Sequence, residues 1–228
     1  MFTPLRRSGS FITHESIPPV MDQSGLWDEV YRSQNRAWRG VTDLGELPFP
    51  PCARLLEAGC GNGKTLQALR EAGFDAVGID FSGEAVSACR RLLGEGADVR
   101  RASVLDIPFG DGEFAGAVAF HVLENILPED VPKAVSELAR VLRDGGCVAV
   151  RVFATGDLRS EKGERVSEDT VVRGNGIRYR YFTESTLVQC FPGWECTRIR
   201  TVREPTRFGG TRSRIEAVFC KRCASMSF

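Results

Sequence analysis

From Ala53 onward, short apolar blocks alternate with longer polar stretches in which apolar residues recur every third or fourth position. "ARLLEA" (53–58), "DAVGID" (75–80), "DVRRASV" (98–104), "EFAGAVAFHVL" (113–123) and "CVAVRVFA" (147–154) have the length and content of strands buried on both faces. Between them "GKTLQALREAG" (63–73), "SGEAVSACRRLLGEG" (82–96) and "PEDVPKAVSELARVLRDGG" (128–146) read as helices, with Ser82 placed to cap the second. Strands alternating with helices at this pace predict right-handed crossovers and a doubly wound, mostly parallel α/β sheet of the Rossmann-like kind. The rhythm breaks at 155–182, a polar stretch with two β-like runs around Gly174-Asn175-Gly176, which predicts a hairpin on the substrate side. A helix, "TESTLVQCF" (183–191), and two strands, "WECTRIRTVRE" (194–204) and "SRIEAVFCKR" (213–222), follow; as an antiparallel pair they close the sheet. Upstream, residues 1–22 lack periodicity and read as a flexible arm, whereas Trp27, Val30, Tyr31, Gln34 and Trp38 recur at helical spacing.

Composition adds exclusions. The 228 residues carry 30 basic and 30 acidic side chains, so nothing global draws the chain to nucleic acid or an anionic membrane. A nucleic-acid partner is therefore not expected. No apolar run nears the ~20 residues of a membrane span, and the N-terminus lacks a secretory segment, which makes the cytoplasm the expected location. The eight cysteines then read as reduced thiols. Cys220-Lys-Arg-Cys223 is a lone pair without a second ligand pair, so no metal is expected.

The chemistry turns on "EAGCGNGKT" (57–65). From Ala58 it fits the loose pattern of a triphosphate-binding loop; from Glu57 it fits an acid followed by alternating glycines, the turn that receives a nucleoside cofactor at a sheet edge. A triphosphate loop needs a carboxylate at a strand end to organise magnesium. The acid that ends an apolar strand is Asp80, about twenty residues after the glycines and at the end of the next strand, where a carboxylate reads ribose hydroxyls.

With "LLEAGCGNG", "VGIDFS" and "ASVLDIPFGDGEFAGAVAFHVLENI" in order and in register with the strands, the chain resembles the class I S-adenosylmethionine-dependent methyltransferases. The resemblance implies S-adenosyl-L-methionine as cofactor. It implies backbone approach at Gly59, Cys60 and Gly61, negative potential from Glu57, ribose recognition by Asp80 and adenine packing on Phe81. Where the family usually has an Asp this chain has Ser103, so Ser103 or Asp106 takes the adenine amino group, with the Val104 N–H reaching a ring nitrogen. Phe120 and Trp38 complete the cofactor side. His121, Glu124 and Tyr31 are the candidates for a general base.

The segment after the fourth strand reads "FHVLEN" rather than Asn/Asp-Pro-Pro-aromatic, which disfavours methylation of nucleobase amino groups. The expected acceptor is a small molecule bearing a thiol, carboxylate, hydroxyl or amine. The alternatives are a polypeptide acceptor, a phosphate-loop nucleotide hydrolase, and a partner protein that binds the cofactor without turnover. Arg173, Arg178, Tyr179, Arg180 and Tyr181 of the insertion have the composition of a clamp for a carboxylate or phosphate, though alternation splits them between two faces. Oligomeric state is left open.

Overall fold

A computed structural model describes residues 23–33, 42–207 and 209–222. The proposed N-terminal arm, Trp38 and Cys223 lie outside these residues. Seven strands form the main sheet: β1 (Arg54–Ala58), β2 (Asp75–Asp80), β3 (Val99–Arg101), β4 (Phe114–Phe120), β5 (Leu142–Phe153), β9 (Glu195–Pro205) and β10 (Thr211–Cys220), in the order β3-β2-β1-β4-β5-β10-β9. β10 alone runs against its neighbours, antiparallel to both β5 and β9, while β1 to β5 are mutually parallel.

Successive strand residues feed opposite cores. Leu55 packs with Leu66, Leu69, Val86 and Cys89 on one face, and Leu56 packs with Val135, Leu138 and Val150 on the other. The helices on the first face are α2 (Lys64–Glu71) and α3 (Gly83–Leu93); α4 (Val131–Val141) covers the second. In α4 the buried positions Val131, Ala134, Val135, Leu138 and Val141 follow the 3.6-residue period. The sequence pattern carries this helix on to Gly146. It ends at Val141, because Leu142 turns extended (φ −86°, ψ 135°) and enters β5 directly.

Residues of the insertion form a three-stranded antiparallel sheet, β6 (Glu164–Arg165), β7 (Thr170–Val172) and β8 (Arg178–Arg180), with Gly176 at φ +79° in the β7–β8 turn. Trp27 of α1 (Gln23–Ser33) packs against Tyr179 of β8, ring centroids 6.4 Å apart, so the small sheet and α1 share a core with Phe153. α5 (Glu184–Gln189) begins with a capping box between Thr183 and Thr186. Among the described residues no helix is long and apolar enough to cross a membrane.

The thiols depart from the sequence reading. Cys147 and Cys220 are disulfide-bonded, directly opposite each other in the β5–β10 ladder and 73 residues apart in sequence. Spacing along the chain carried no sign of this, because antiparallel closure by a distant strand creates the pairing. Denatured, unreduced protein should therefore titrate two fewer thiols than reduced protein. Reduction should lower stability by about 2–4 kcal/mol, read from the urea midpoint.

Candidate active site

The strand order reverses between β1 and β4, so the crossover helices diverge and leave a crevice at the carboxyl ends of the strands. A cavity of about 1140 Å³ opens there. A small-molecule site occupies about 300–1000 Å³, so this space exceeds what one cofactor requires.

Its floor is the turn after β1. The Gly59 and Cys60 N–H groups both donate to the Ile79 carbonyl at 2.8 Å, which locks the turn to the end of β2. Gly59, Gly61 and Gly63 have φ of +75°, +54° and +87°, a region that side chains resist. A Cβ at Gly59 would sit 2.5 Å from Val122 Cγ2, and one at Gly61 2.6 Å from Tyr31 Oη. Bare backbone is thus required by both conformation and space.

Glu57, 3% exposed, decides between the two readings of this loop. Its carboxyl accepts from Thr65 and from the Leu66 N–H, so an acid of the chain itself occupies the N-terminus of α2, the position a phosphate would take. Burial, with Cys89 and Asp80 close by, pushes its pKa well above the usual carboxylate range despite these bonds. Its Oε2 is buried without a partner.

Asp80 ends β2 beside it. Its Oδ2 accepts from the Gly61 N–H and its Oδ1 from the Ser82 N–H, each at 2.9 Å. Burial, helped by the nearby Asp28, raises its pKa to about 6 against those two bonds. Two adjacent buried acids, one with an orphaned oxygen, suit a ligand that brings a cation and hydroxyl donors. The ammonium, sulfonium and ribose of S-adenosylmethionine meet that description.

Asp28 docks α1 over this floor by accepting from Ser82 Oγ (2.6 Å) and the Glu84 N–H (3.1 Å) at the N-terminus of α3. Burial opposes its ionisation, but those bonds and the nearby Arg101 and Arg32 outweigh it and hold the pKa below the usual value. Tyr31 of the same helix consequently lies on the glycine turn rather than at the far end of the cavity. Phe81, Ser103, Val104 and Phe120 also line the cavity. Asp106 does not: the tight turn in which the Asp106 N–H donates to the Ser103 carbonyl at 3.0 Å leaves it exposed. Ser103 Oγ is itself engaged by the Leu105 N–H at 3.1 Å.

The far wall has a different character. His121, just past β4, holds φ +60°, rare for a residue with a side chain. Its N–H donates to the Arg151 carbonyl at 2.7 Å, and its ring lies 4.6 Å from that of Phe153. Its Nδ1 is 2.7 Å from Glu124 Oε1. Glu124 is 1% exposed, lines the cavity and has its Oε2 buried with no partner.

Phe153, Tyr179 and Arg159 complete this wall. The buried Asp157 grips Arg159 with both oxygens, at 2.7 and 2.8 Å, and places its guanidinium 4.0 Å over the Phe153 ring. Burial pushes the Tyr179 phenol up to about 12, so it stays protonated at neutral pH. Sequence reasoning missed Phe153, Asp157 and Arg159. The signal for Phe153 was present, since it ends a parallel strand on the ligand side of the sheet. Within the insertion, alternation buries Tyr179 and Tyr181, Arg173 stacks 4.3 Å over Tyr179, and Arg180 pairs with Asp169 at 2.7 Å. Among the described residues no group of three or more ligating side chains could hold a metal.

Comparison with known proteins agrees with this geometry. Residues 56–150 match a family model described as a methyltransferase domain. The fold is similar to that of an S-adenosylmethionine-dependent methyltransferase from Methanosarcina mazei (TM-score 0.68, 21% identity, 79% of this chain and 100% of that one). The chain belongs to the class I S-adenosylmethionine-dependent methyltransferases, and S-adenosylmethionine is its cofactor. That sets aside the nucleotide hydrolase.

Among its relatives are a tRNA N(3)-cytidine methyltransferase of Gallus gallus, 32% identical over 82% of this chain and 50% of that protein, and a tRNA N(3)-methylcytidine methyltransferase of Schizosaccharomyces pombe, 26% identical over 82% and 66%. The chain thus spans about half the length of the Gallus gallus relative. These relatives overturn the expected small-molecule acceptor and the expectation of no nucleic-acid partner, and they give a polypeptide acceptor no support. Two physical reasons explain the error. A net charge of zero says nothing about where the arginines sit. The missing Asn-Pro-Pro-aromatic segment speaks to exocyclic amino groups, whereas N3 is a ring nitrogen with its own lone pair.

The cofactor half of the cavity carries a pH prediction. For the expected ribose contact, in which Asp80 accepts from hydroxyls while both its oxygens hold backbone N–H groups, the carboxyl has to be ionised. With a pKa of about 6, affinity for S-adenosylhomocysteine should be flat above pH 7 and about 10-fold weaker at pH 5. Asp80→Asn should bind weakly throughout and lose the dependence, as calorimetry across that range will show.

Proposed function

We propose that this chain transfers the methyl group of S-adenosylmethionine to N3 of a cytidine in an RNA. The observation that carries the reading is the buried Glu124 Oε2, without a partner among aromatic walls, in a chain whose relatives act on that base. The sulfonium supplies an already activated methyl group, so the protein's task is to hold the nucleophile in line and keep water out.

Cytosine presents a donor, its N4 amino group, next to N3, and carboxylates are the side chains that accept from it. Glu124 Oε2 takes that role, held by His121 through Oε1. Methylation leaves positive charge on the ring, and a fixed carboxylate in a buried wall stabilises that charge as it develops. The N3 lone pair attacks directly, so no proton has to be removed first and His121 acts as a positioning residue. The Arg159 guanidinium, stacked on Phe153 and lining the cavity, offers a planar surface to an unstacked base, which implies a single-stranded or flipped-out cytidine.

The test is transfer of a labelled methyl group to single-stranded RNAs with and without cytidine. Incorporation that requires cytidine, with reverse-transcription stops at the modified position, is the expected result. Label on cytidine-free RNA, or on no RNA at all, would refute the reading.

A further inference from the structure

One face of the β5–β10–β9 region carries arginines in register. Arg151 of β5 stands opposite Glu216 of β10, and Glu216 opposite Arg200 of β9; Arg214 is two residues along β10 on the same side, and Arg212 two further. Arg198 shares this face through Val218. The opposite face of β10 is apolar core, with Ile215, Ala217 and Phe219 buried.

Glu216 alone is approached by three guanidiniums: Arg151 at 2.9 Å, Arg200 at 2.7 Å and Arg214 at 2.9 Å. Glu204 pairs with Arg214, and Glu46 with Arg198. Asp43 also lies close to Arg151, so five guanidiniums face four carboxylates, and the excess is positive. Arg200 has 62% of its side chain exposed, and Arg212 is exposed. The row begins inside the active-site cavity, which Arg151, Arg212 and Arg214 line, and leaves it along β9.

From the proposed function, on which this inference rests, we infer that this arginine face is the track for the phosphodiester backbone of the RNA acceptor. Glu216 holds three guanidinium forks in place, and Arg200 and Arg212 stay exposed to meet phosphate oxygens. From Arg198 to the level of Arg212 the face spans six strand residues, roughly 20 Å, longer than a single small anion. Contacts of this kind set the register of the chain and leave base choice to Glu124.

The experiment uses the full chain, a fluorescent single-stranded RNA of about 20 nucleotides and an unlabelled polyglutamate peptide as competitor. Arg200→Ala with Arg212→Ala removes two exposed side chains, and circular dichroism checks that the fold is kept. The double variant should bind RNA ~10-fold more weakly near 0.1 M salt. Its slope of log affinity on log salt should be shallower by about 0.7 for each phosphate that the variant no longer neutralises. S-adenosylhomocysteine affinity should be unchanged, and the corresponding double Lys variant should recover most of the binding. Unaltered RNA affinity and salt slope in the double Ala variant, while the parent still methylates RNA, would overturn the track and leave the proposed function standing. Loss of polyglutamate binding with RNA binding intact would overturn it in favour of an acidic protein partner. A parent that neither binds nor methylates RNA would remove both.

Discussion

Glu124→Gln is expected to lower kcat for methyl transfer to cytidine-containing RNA by about 100- to 1000-fold, while S-adenosylhomocysteine still binds with parental affinity. The substitution preserves shape and leaves an oxygen for the His121 ring, so the fold has little reason to change. What it removes is the fixed negative charge behind Oε2, the one oxygen of that buried carboxyl without a partner. Because ring charge accumulates only as the methyl group arrives, the loss falls on kcat more than on KM. His121→Ala should cost less, about 10-fold, since it frees Glu124 to rotate but leaves its charge. Single-turnover rates with saturating cofactor separate these effects from product release. A Glu124→Gln protein that turns over RNA at the parental rate would show that Oε2 does not face the reacting base.

Whether a feature was legible in the sequence depended on whether a local pattern or a distant contact produces it. The parallel sheet was readable because each strand–helix unit carries its own periodicity, and Asp80 because adjacent parallel strands bring their ends together. The glycine turn was readable in outline, but two readings competed until Glu57 was found against Thr65 and Leu66 at the start of α2. Composition could not reveal the arginine face. It is assembled from β5, β10 and β9, whose register only the fold fixes. The Cys147–Cys220 bond was hidden for the same reason. Asp106 failed for a local reason: a turn of four residues points it outward, which alternation along a strand does not anticipate. His121 and Glu124 stood three apart in "FHVLEN", yet their pairing needs the left-handed backbone of His121, and no sequence pattern announces that.

Gly59→Ala should abolish measurable cofactor binding, weakening S-adenosylhomocysteine by at least about 100-fold, and should lower stability by about 2–4 kcal/mol. The backbone at φ +75° already disfavours any side chain, and the new Cβ would fall 2.5 Å from Val122 Cγ2. Retreat is blocked on one side, because the Gly59 and Cys60 N–H groups are both anchored to Ile79. Displacement of Val122 on the other side moves the short helical turn Leu123–Asn125, which carries Glu124. One methyl group therefore strains the cofactor floor and the acceptor wall together. Gly73→Ala is the control: its φ is +89°, but no atom lies within 4 Å of the added Cβ. It should pay only the left-handed backbone cost, about 1 kcal/mol, and bind cofactor normally. Calorimetry and urea midpoints on the pair test this directly. Equal cofactor affinities in the two variants would mean that the close approach of residue 59 to Val122 has no part in forming the site.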